Sequence, residues 1–443
     1  MKRKLKALAA ILLVLVMLGS AMPMQLAAEA MTPPTTRYAT PHGYNDHDYQ
    51  KMVAFFEQTD ENGVRNGEKL SEDYDPTDPE TWWEYDGDYC RGIVEWTTVA
   101  GEYRLYNIFF GGIGNDALPL ELVGFLDVSG CTALVKVRCR SWGDIQLTGL
   151  DVSGCAALEV LGCSRNLLTE LDVSGCTSLV ELYCLANELT ELDVSGCAAL
   201  EVLDCDGNEL TELDVSECAA LEALDCSWNL LTELDVSGCA ALEELDCDYN
   251  HMTELDVSAN TELRRLYCYG NQLTELDVSA NTELEELGCS GNQLTELDLS
   301  NNPRIDIDTI SAEGSGFIGV GTEWDENSES YCCIEAASVP GNSFCGWYAV
   351  DGTLLSTNVE INRNDFDGVN DFVARFTAST PGGVGDVDGD GAVRVSDAVL
   401  IMRYALGLIE FTPEQILCGD VDGDGFVKVA DAVMVIRIAL GLA

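Results

Sequence analysis

The sequence is poor in positive charge and in histidine. Its 443 residues include 23 Lys or Arg against 77 Asp or Glu, a formal net charge of −54. Nucleic acids and anionic membrane surfaces are bound through basic groups that displace counterions, so this balance speaks against both. Three scattered histidines, His42, His47 and His251, leave little for a His-rich zinc site or a Ser/His/Asp triad. There is no G-x-S-x-G, no H-E-x-x-H, no phosphate-binding G-x-x-x-x-G-K and no C-x-x-C. After the first thirty residues no segment has eighteen consecutive apolar residues, so no membrane-spanning helix is expected.

Hydrophobic residues make up 47% of the chain, so it is not a disordered acidic tail, and its length suggests more than one domain. Residues 1–30 have a basic start (Lys2, Arg3, Lys4, Lys6), a short apolar run and a small-residue site at Ala28-Glu29-Ala30. That is the pattern of a secretory signal peptide, and the shortness of the run favours it over a retained anchor. A secreted, extracellular protein is expected.

From Leu158 the chain repeats every 21 residues as L-x-x-L-x-C-x-x-N-x-L-T-E-L-D-V-S-x-C/N-x-x. Asparagine recurs at Asn166, Asn187, Asn208, Asn229, Asn250, Asn271 and Asn292 without slippage. An earlier unit at Leu134 is three residues longer, and a worn unit follows at Ile305. The alternation around Leu161 and Cys163 suits one short strand per unit, and stacked units bury their leucines against one another. A fixed asparagine can meet the polar demands of a tight bend. Over about residues 122–310 the pattern resembles bacterial leucine-rich repeat proteins of the 21-residue, cysteine-containing type. The resemblance implies a curved α/β solenoid with a parallel sheet on the concave side.

One cysteine column (Cys163 and its equivalents) replaces a leucine of that family's pattern and fits small buried hydrophobes. A second column runs Cys155, Cys176, Cys197, Cys218, Cys239 and then changes to Asn260, Asn281, Asn302. A site that accepts either residue needs a small polar group rather than a covalent partner, so buried free thiols are favoured over a disulfide ladder. Positions beside the buried strand residues include Arg138, Arg140, Tyr183, Asp204, Asp206, Asp225, Trp228, Asp246, Asp248, Tyr249, Tyr267 and Tyr269. Tyr183 to Tyr269 in this set are the candidate ligand-binding face. Aspartates beside aromatics can stack sugar rings and accept hydroxyl hydrogen bonds, or grip a basic peptide. A merely solvated acidic face stays open as the alternative. The Thr-Glu-Leu-Asp columns are expected to serve turns.

A solenoid needs its ends covered. Residues 31–118 fit an N-terminal cap: Tyr49, Met52, Val53 and Phe56 have helical spacing, and GIVEWTTV and YRLYNIFF are expected to start the sheet. Trp82 and Trp83 are expected in packing. Residues 119–310 form the array. Residues 311–378 suggest short strands with Gly, Asn and Asp turns. The Phe344-Cys345-Gly346-Trp347-Tyr348 stretch resembles bacterial surface modules with an F-x-G-W-Y core, implying a small β-sandwich or β-grasp spacer. Cys332, Cys333 and Cys345 leave one disulfide open.

After a linker at 379–384, GDVDGDGAVRVSD places Asp386, Asp388, Asp390 and Asp397 at loop positions 1, 3, 5 and 12. The pattern recurs at Asp420, Asp422, Asp424 and Asp431. Calcium needs several hard oxygens round a tight bend; Gly391 and Gly425 permit the bend, and Ala392 and Phe426 would supply backbone carbonyls. Two Ca²⁺ ions are therefore expected. Each loop leads into one helix, expected over 398–408 and 432–442, and both close on ALGL. This EF-hand-like pair over 385–443 resembles a type I dockerin, which implies calcium-dependent docking to a cohesin. Carried over by position, the resemblance assigns cohesin contacts to Val395, Ser396, Met402 and Arg403, and to Val429, Ala430, Ile436 and Arg437. The sequence departs from the family's usual Ser-Thr pair at loop positions 10 and 11, which implies a private partner.

Dockerins usually accompany glycoside hydrolases, which need two positioned carboxylates in a cleft. Outside repeats and dockerin only 31–118 and 311–380 remain, and both suit caps or spacers. The sequence therefore favours a secreted, non-catalytic binding or adhesion subunit of a cellulosome-like, polysaccharide-related assembly. An unrecognised hydrolase or accessory component, and a structural spacer with no ligand, are the competing readings.

Overall fold

The computed structural model describes residues 38–82, 92–110, 122–139 and 146–305. Beyond these it describes 307, 309–313, 316–324, 330–338, 342–362, 366, 369–378, 385, 387, 393–409, 411, 415, 418–419, 421 and 426–440. The expected signal peptide, Trp83 and Arg140 lie outside the described residues.

Each coil of the array contributes one three-residue strand. These are β4 (Lys136–Arg138), β6 (Val160–Gly162), β7 (Glu181–Tyr183), β8 (Val202–Asp204), β9 (Ala223–Asp225), β10 (Glu244–Asp246), β11 (Arg265–Tyr267) and β12 (Glu286–Gly288). They pair in parallel, with Leu161, Leu182, Leu203, Leu224, Leu245, Leu266 and Leu287 side by side in register. An extended chain points its central residue inward and its two neighbours outward, and these leucines are at most 2% exposed. Each contributes about 2 kcal/mol by leaving water.

Polar groups link the coils. Asn187 accepts the N–H of Leu168 on Oδ1 at 3.1 Å and donates from Nδ2 to the carbonyls of Cys184 (2.9 Å) and Cys163 (3.1 Å). Asn208, Asn229, Asn250 and Asn271 repeat these bonds. The second column explains its own change of residue. Cys155, Cys197 and Cys239 donate their thiols to the carbonyls of Val128, Val173 and Val215; Asn260, Asn281 and Asn302 donate Nδ2 to those of Val236, Val257 and Val278. Both residue types thus satisfy a valine carbonyl in the preceding coil. The Asp of each Asp-Val-Ser serves a turn, as where Asp172 accepts the Ser174 N–H at 3.0 Å.

At the N-terminal end, helix α1 (Asp46–Phe56) follows the Asn45 cap, which accepts from the Asp48 N–H. It is followed by α2 (Asn66–Leu70) and a 3₁₀ turn at Pro79–Thr81. Strands β1 (Gly92–Val99) and β2 (Glu102–Phe110) pair antiparallel and open the ten-stranded sheet, with β2 beside β4. Trp82 is buried with Tyr49 and Phe56, and Asp48, also buried, is held by Arg104 and the Leu105 N–H. Strands β3 (Val123–Asp127) and β5 (Gln146–Asp151) form a separate parallel pair.

At the other end β13 (Glu296–Asp298), β14 (Thr309–Glu313), β17 (Asn342–Tyr348), β18 (Leu354–Ser356) and β20 (Asp371–Ala378) make a five-stranded sheet. A second sheet holds β15 (Gly316–Trp324), β16 (Ser330–Ser338) and β19 (Glu360–Asn362). The segment from Leu354 to Asn362 is divided between these two sheets, β18 in the first and β19 in the second. The Val320 carbonyl accepts the Cys289 N–H, and Ile318, Trp347 and Phe372 belong to the same continuous apolar core as the repeats. These strands therefore cover the last coil rather than standing apart from it as a spacer would. Cys333 is buried in β16 and Cys345 half-buried in β17.

The C-terminal module has its own small core of Val387, Ala398, Ile401, Val427, Ala432 and Val435. Helices α3 (Val395–Ala405) and α4 (Val429–Ala439) pack together there. Both start three residues earlier than expected. Asp397 and Asp431, in the first helical turn, each accept the amide of the capping residue, Arg394 or Lys428, at 2.7 Å, which draws the helix start back into the loop.

Candidate functional site

Two regions carry the expected site residues. In the C-terminal module, Asp397 and Asp431 are fully buried. Asp397 accepts the Val387 N–H on Oδ1 at 2.8 Å as well as the Arg394 N–H on Oδ2, and Asp431 does the same with Val421 and Lys428. The two carboxylates therefore close two equivalent loops from the inside. A buried anion whose loop also carries three aspartates in sequence is a donor set of hard oxygens, and it suits calcium. Asp386, Asp388, Asp390, Ala392, Asp420, Asp422 and Asp424 lie outside the described residues. Phe426 is exposed, with Lys428 Nζ 4.8 Å from its ring centre. Of the expected cohesin contacts, Val395, Ser396, Arg403, Val429, Ala430 and Arg437 are exposed; Met402 and Ile436 are half-buried against the module's core.

On the strand side of the array, register places Tyr183, Asp204, Asp225, Asp246 and Tyr267 in one row across neighbouring coils. Asp206, Asp248 and Tyr269 follow two residues further along their coils. The sequence expects all of these exposed. The structure leaves them half-buried, because parallel side chains at one register cover each other; only Trp228 (52%) and Tyr249 (44%) stand clear. Ser227 Oγ donates to Asp225 at 2.6 Å and to Asp206 at 3.1 Å, and Asp248 accepts the Tyr269 amide. Burial, with neighbouring carboxylates adding to it, pushes Asp246 up to about 8, and burial pushes Asp248 up to about 6. Asp206 is raised for the same reasons as Asp246. Tyr269 reaches Glu335 in β16 at 3.2 Å, so part of this row supports the end cap.

Composition alone did not reveal the backbone at Trp228 and Tyr249. Residues 165, 186, 207, 228, 249, 270 and 291 stand one unit apart and all have left-handed φ, between 50° and 72°. Glycine fills this corner at Gly207, Gly270 and Gly291. A bulky residue there costs about 1 kcal/mol or more. Trp228 and Tyr249 nonetheless occupy it, stacked at 4.1 Å between ring centres with 22° between planes. The 21-residue register could have flagged the column, since glycine recurs in it.

An open groove of about 2100 Å³ runs along the Glu-Leu-Asp side of the coils, floored by leucines such as Leu192 and Leu213 and edged by Glu191, Asp193, Glu212 and Asp214. Its aspartates are engaged in the serine turns. Among the described residues His47, Asp48 and Cys131 approach metal-ligand spacing, but Asp48 is already neutralised by Arg104.

Residues 384–440 match the family model of the dockerin type I domain. The chain carries a type I dockerin behind leucine-rich repeats. Type I dockerins are calcium-binding modules whose partner is a cohesin. No curated protein matches the chain. Solved structures similar to it include the functional domain of InlJ from Listeria monocytogenes, described as including a cysteine ladder. It is 23% identical, with 57% of this chain and 78% of that one covered and a TM-score of 0.32. A leucine-rich repeat protein of Leptospira interrogans is 24% identical over 40% of this chain and 51% of that one, TM-score 0.35. An internalin, inlF, of Listeria monocytogenes is 16% identical over 49% and 73%, TM-score 0.36. The chain spans about half the length of the Leptospira protein it matches, and the solenoid is established by its own ladder of strands. Repeats and dockerin are both non-catalytic kinds of module. Among the described residues no helix is long and apolar enough to cross a membrane.

Proposed function

We propose that the protein is a secreted, non-catalytic binding or adhesion subunit. Its dockerin holds two Ca²⁺ ions and docks to a cohesin on a scaffold or at the cell surface, in a cellulosome-like, polysaccharide-related assembly. Its repeats present the recognition face. The supporting observation is the duplicated arrangement of Asp397 and Asp431, each buried and each closing one loop onto one helix. Asp386, Asp388, Asp390 and Asp397 would hold one ion with the Ala392 carbonyl; Asp420, Asp422, Asp424 and Asp431 would hold the other with that of Phe426. Calcium, when bound, would supply the positive charge that offsets the carboxylates gathered in each loop. The chain's own part is to bury the last ligand of each loop and to leave Val395, Ser396, Arg403 and their counterparts Val429, Ala430, Arg437 outward for the partner, with Met402 and Ile436 beneath them. The division into cap (31–118), array (119–310), β module (311–378), linker (379–384) and dockerin (385–443) belongs to the same reading.

The test is a pull-down from the native secretome with the full chain, first in calcium and then in chelator, beside calorimetric titration with Ca²⁺. Two equivalents of calcium and a partner released by chelator are expected. Absence of calcium uptake, or a partner indifferent to chelator, overturns the docking reading. Proteins or glycans retained in chelator report on the repeats.

A further inference from the structure

We propose that the open ring face of Trp228, above Gly207, seats a neutral sugar ring of a glycan chain, with the Asp206 carboxyl group as its hydrogen-bond partner. This rests on the reading of the strand side as a recognition face and names its ligand.

The left-handed corner is where the argument starts. Ala186 and Gly207 occupy it in neighbouring coils, so the fold does not need an aromatic ring there. Trp228 and Tyr249 take it in spite of the backbone cost and remain about half exposed. Strain kept at a solvent-facing position that contributes nothing to the core points to a surface use.

The direction of the stack identifies its free side. A Cβ on Gly270 would lie 2.8 Å from Cδ1 of Tyr249, so the tyrosine ring lies over the following coil. Trp228 likewise lies against Tyr249, the residue of the following coil. A Cβ on Gly207 would meet only the Ala186 backbone, at 3.7 Å, and no atom of Trp228. Thus one face of Trp228 is covered by Tyr249, and no ring among the described residues covers the other, beside which stands a residue with no side chain. The open side runs over two successive corners, Gly207 and Ala186, neither of which carries a ring.

A pyranose has one face rich in C–H groups and hydroxyls round its edge. The first suits an aromatic plane and the second suits a carboxyl group at the rim. Asp206 precedes Gly207 and is fixed by Ser227 Oγ at 3.1 Å, which leaves acceptor capacity on the carboxyl group. A cationic peptide fits less well. Burial raises the proton affinity of Asp206, and sugar hydroxyls pair with its carboxyl group in either protonation state, whereas a cation needs the charged one. Arg165 also acts electrostatically on Asp206 and would repel a cation there.

The test uses the full chain, calorimetry and saturation-transfer NMR, and a panel of short neutral oligosaccharides with a lysine-rich peptide alongside. Trp228→Ala removes the platform. Gly207→Tyr continues the aromatic ladder at a corner that already accepts tyrosine at 249, so it fills the vacant place without changing the fold, which circular dichroism checks. Sugar binding by the parent protein, weakened at least about tenfold by both substitutions, is expected. Equal binding by Gly207→Tyr, or no sugar bound at all, overturns the proposal. If the peptide binds instead and depends on Trp228, the ligand class is wrong while the recognition face stands. If neither probe binds and both variants retain every chelator-resistant partner, the recognition face fails as well.

Discussion

Asn208 accepts the backbone N–H of Leu189, one coil earlier, on Oδ1 at 3.1 Å, and the same amide donates to the Cys205 carbonyl of its own coil at 2.9 Å. One side chain thus holds both a turn and the joint between coils. Replacing it by an apolar residue leaves the buried Leu189 N–H without its partner, at about 1–3 kcal/mol, and removes two donations to carbonyls that keep other donors. Asn208→Leu is expected to lower the thermal midpoint strongly, whereas Glu209→Leu, on the exposed neighbour, is expected to leave it nearly unchanged. Equal midpoints would show that the ladder does not carry stability.

The second column makes a milder forecast. Asn281 donates to the Val257 carbonyl at 2.9 Å, yet its Oδ1 is buried without a partner. A thiol makes the same donation at the equivalent Cys239 and has no orphaned oxygen. Asn281→Cys is expected to change stability by less than about 0.5 kcal/mol, and Asn281→Ala to cost about 1 kcal/mol by losing the donation, the Val257 carbonyl keeping the Asn260 N–H. Chemical denaturation of the two variants decides this; a large loss with cysteine would refute the equivalence.

Stability should fall with rising pH through the Asp246 carboxyl group. Its folded value is pushed up to about 8 by burial first and by Asp248 second, against about 4 in an unfolded chain. The raised folded value means that its contribution is complete below about pH 4 and is lost as pH rises through about 8. Asp246→Asn mimics the protonated form. The variant is expected to match the parent near pH 4 and to melt higher at pH 8. A melting difference that stays constant between these limits would contradict the assignment.

The strand-column thiols should be silent in the native protein. Cys163, Cys184, Cys205, Cys226, Cys247 and Cys268 are buried and free, and burial raises the pKa of each. A thiol-specific disulfide reagent at pH 8 is expected to label them only after unfolding. Rapid labelling of the folded chain, or failure to label the unfolded one, would count against free buried thiols.

Much of this architecture could be read from the spacing of residues, because a 21-residue period has one economical solution. Leu161 and its equivalents must face inward, and an asparagine at a fixed step must satisfy the bend. The Cys-to-Asn change at 260 indicated a small polar group; that it donates to a valine carbonyl one coil back needed the third dimension. Three features escaped. Mutual cover across the parallel register half-buries Asp246 and Tyr267, which no single coil reveals. The helix starts at Val395 and Val429 depend on a carboxylate reaching back to its own cap. The strain at Trp228 is a matter of φ, which side-chain type does not announce.

Because the amides of Asn187, Asn208 and Asn229 bond only their own coil and the one before it, these joints are alike and local. A duplication or deletion of one whole unit would leave no bond unmatched, while a slip of a single residue would break a joint. Descent can therefore lengthen or shorten this ladder in steps, sliding its aromatic corner nearer to or farther from the dockerin as on a ruler.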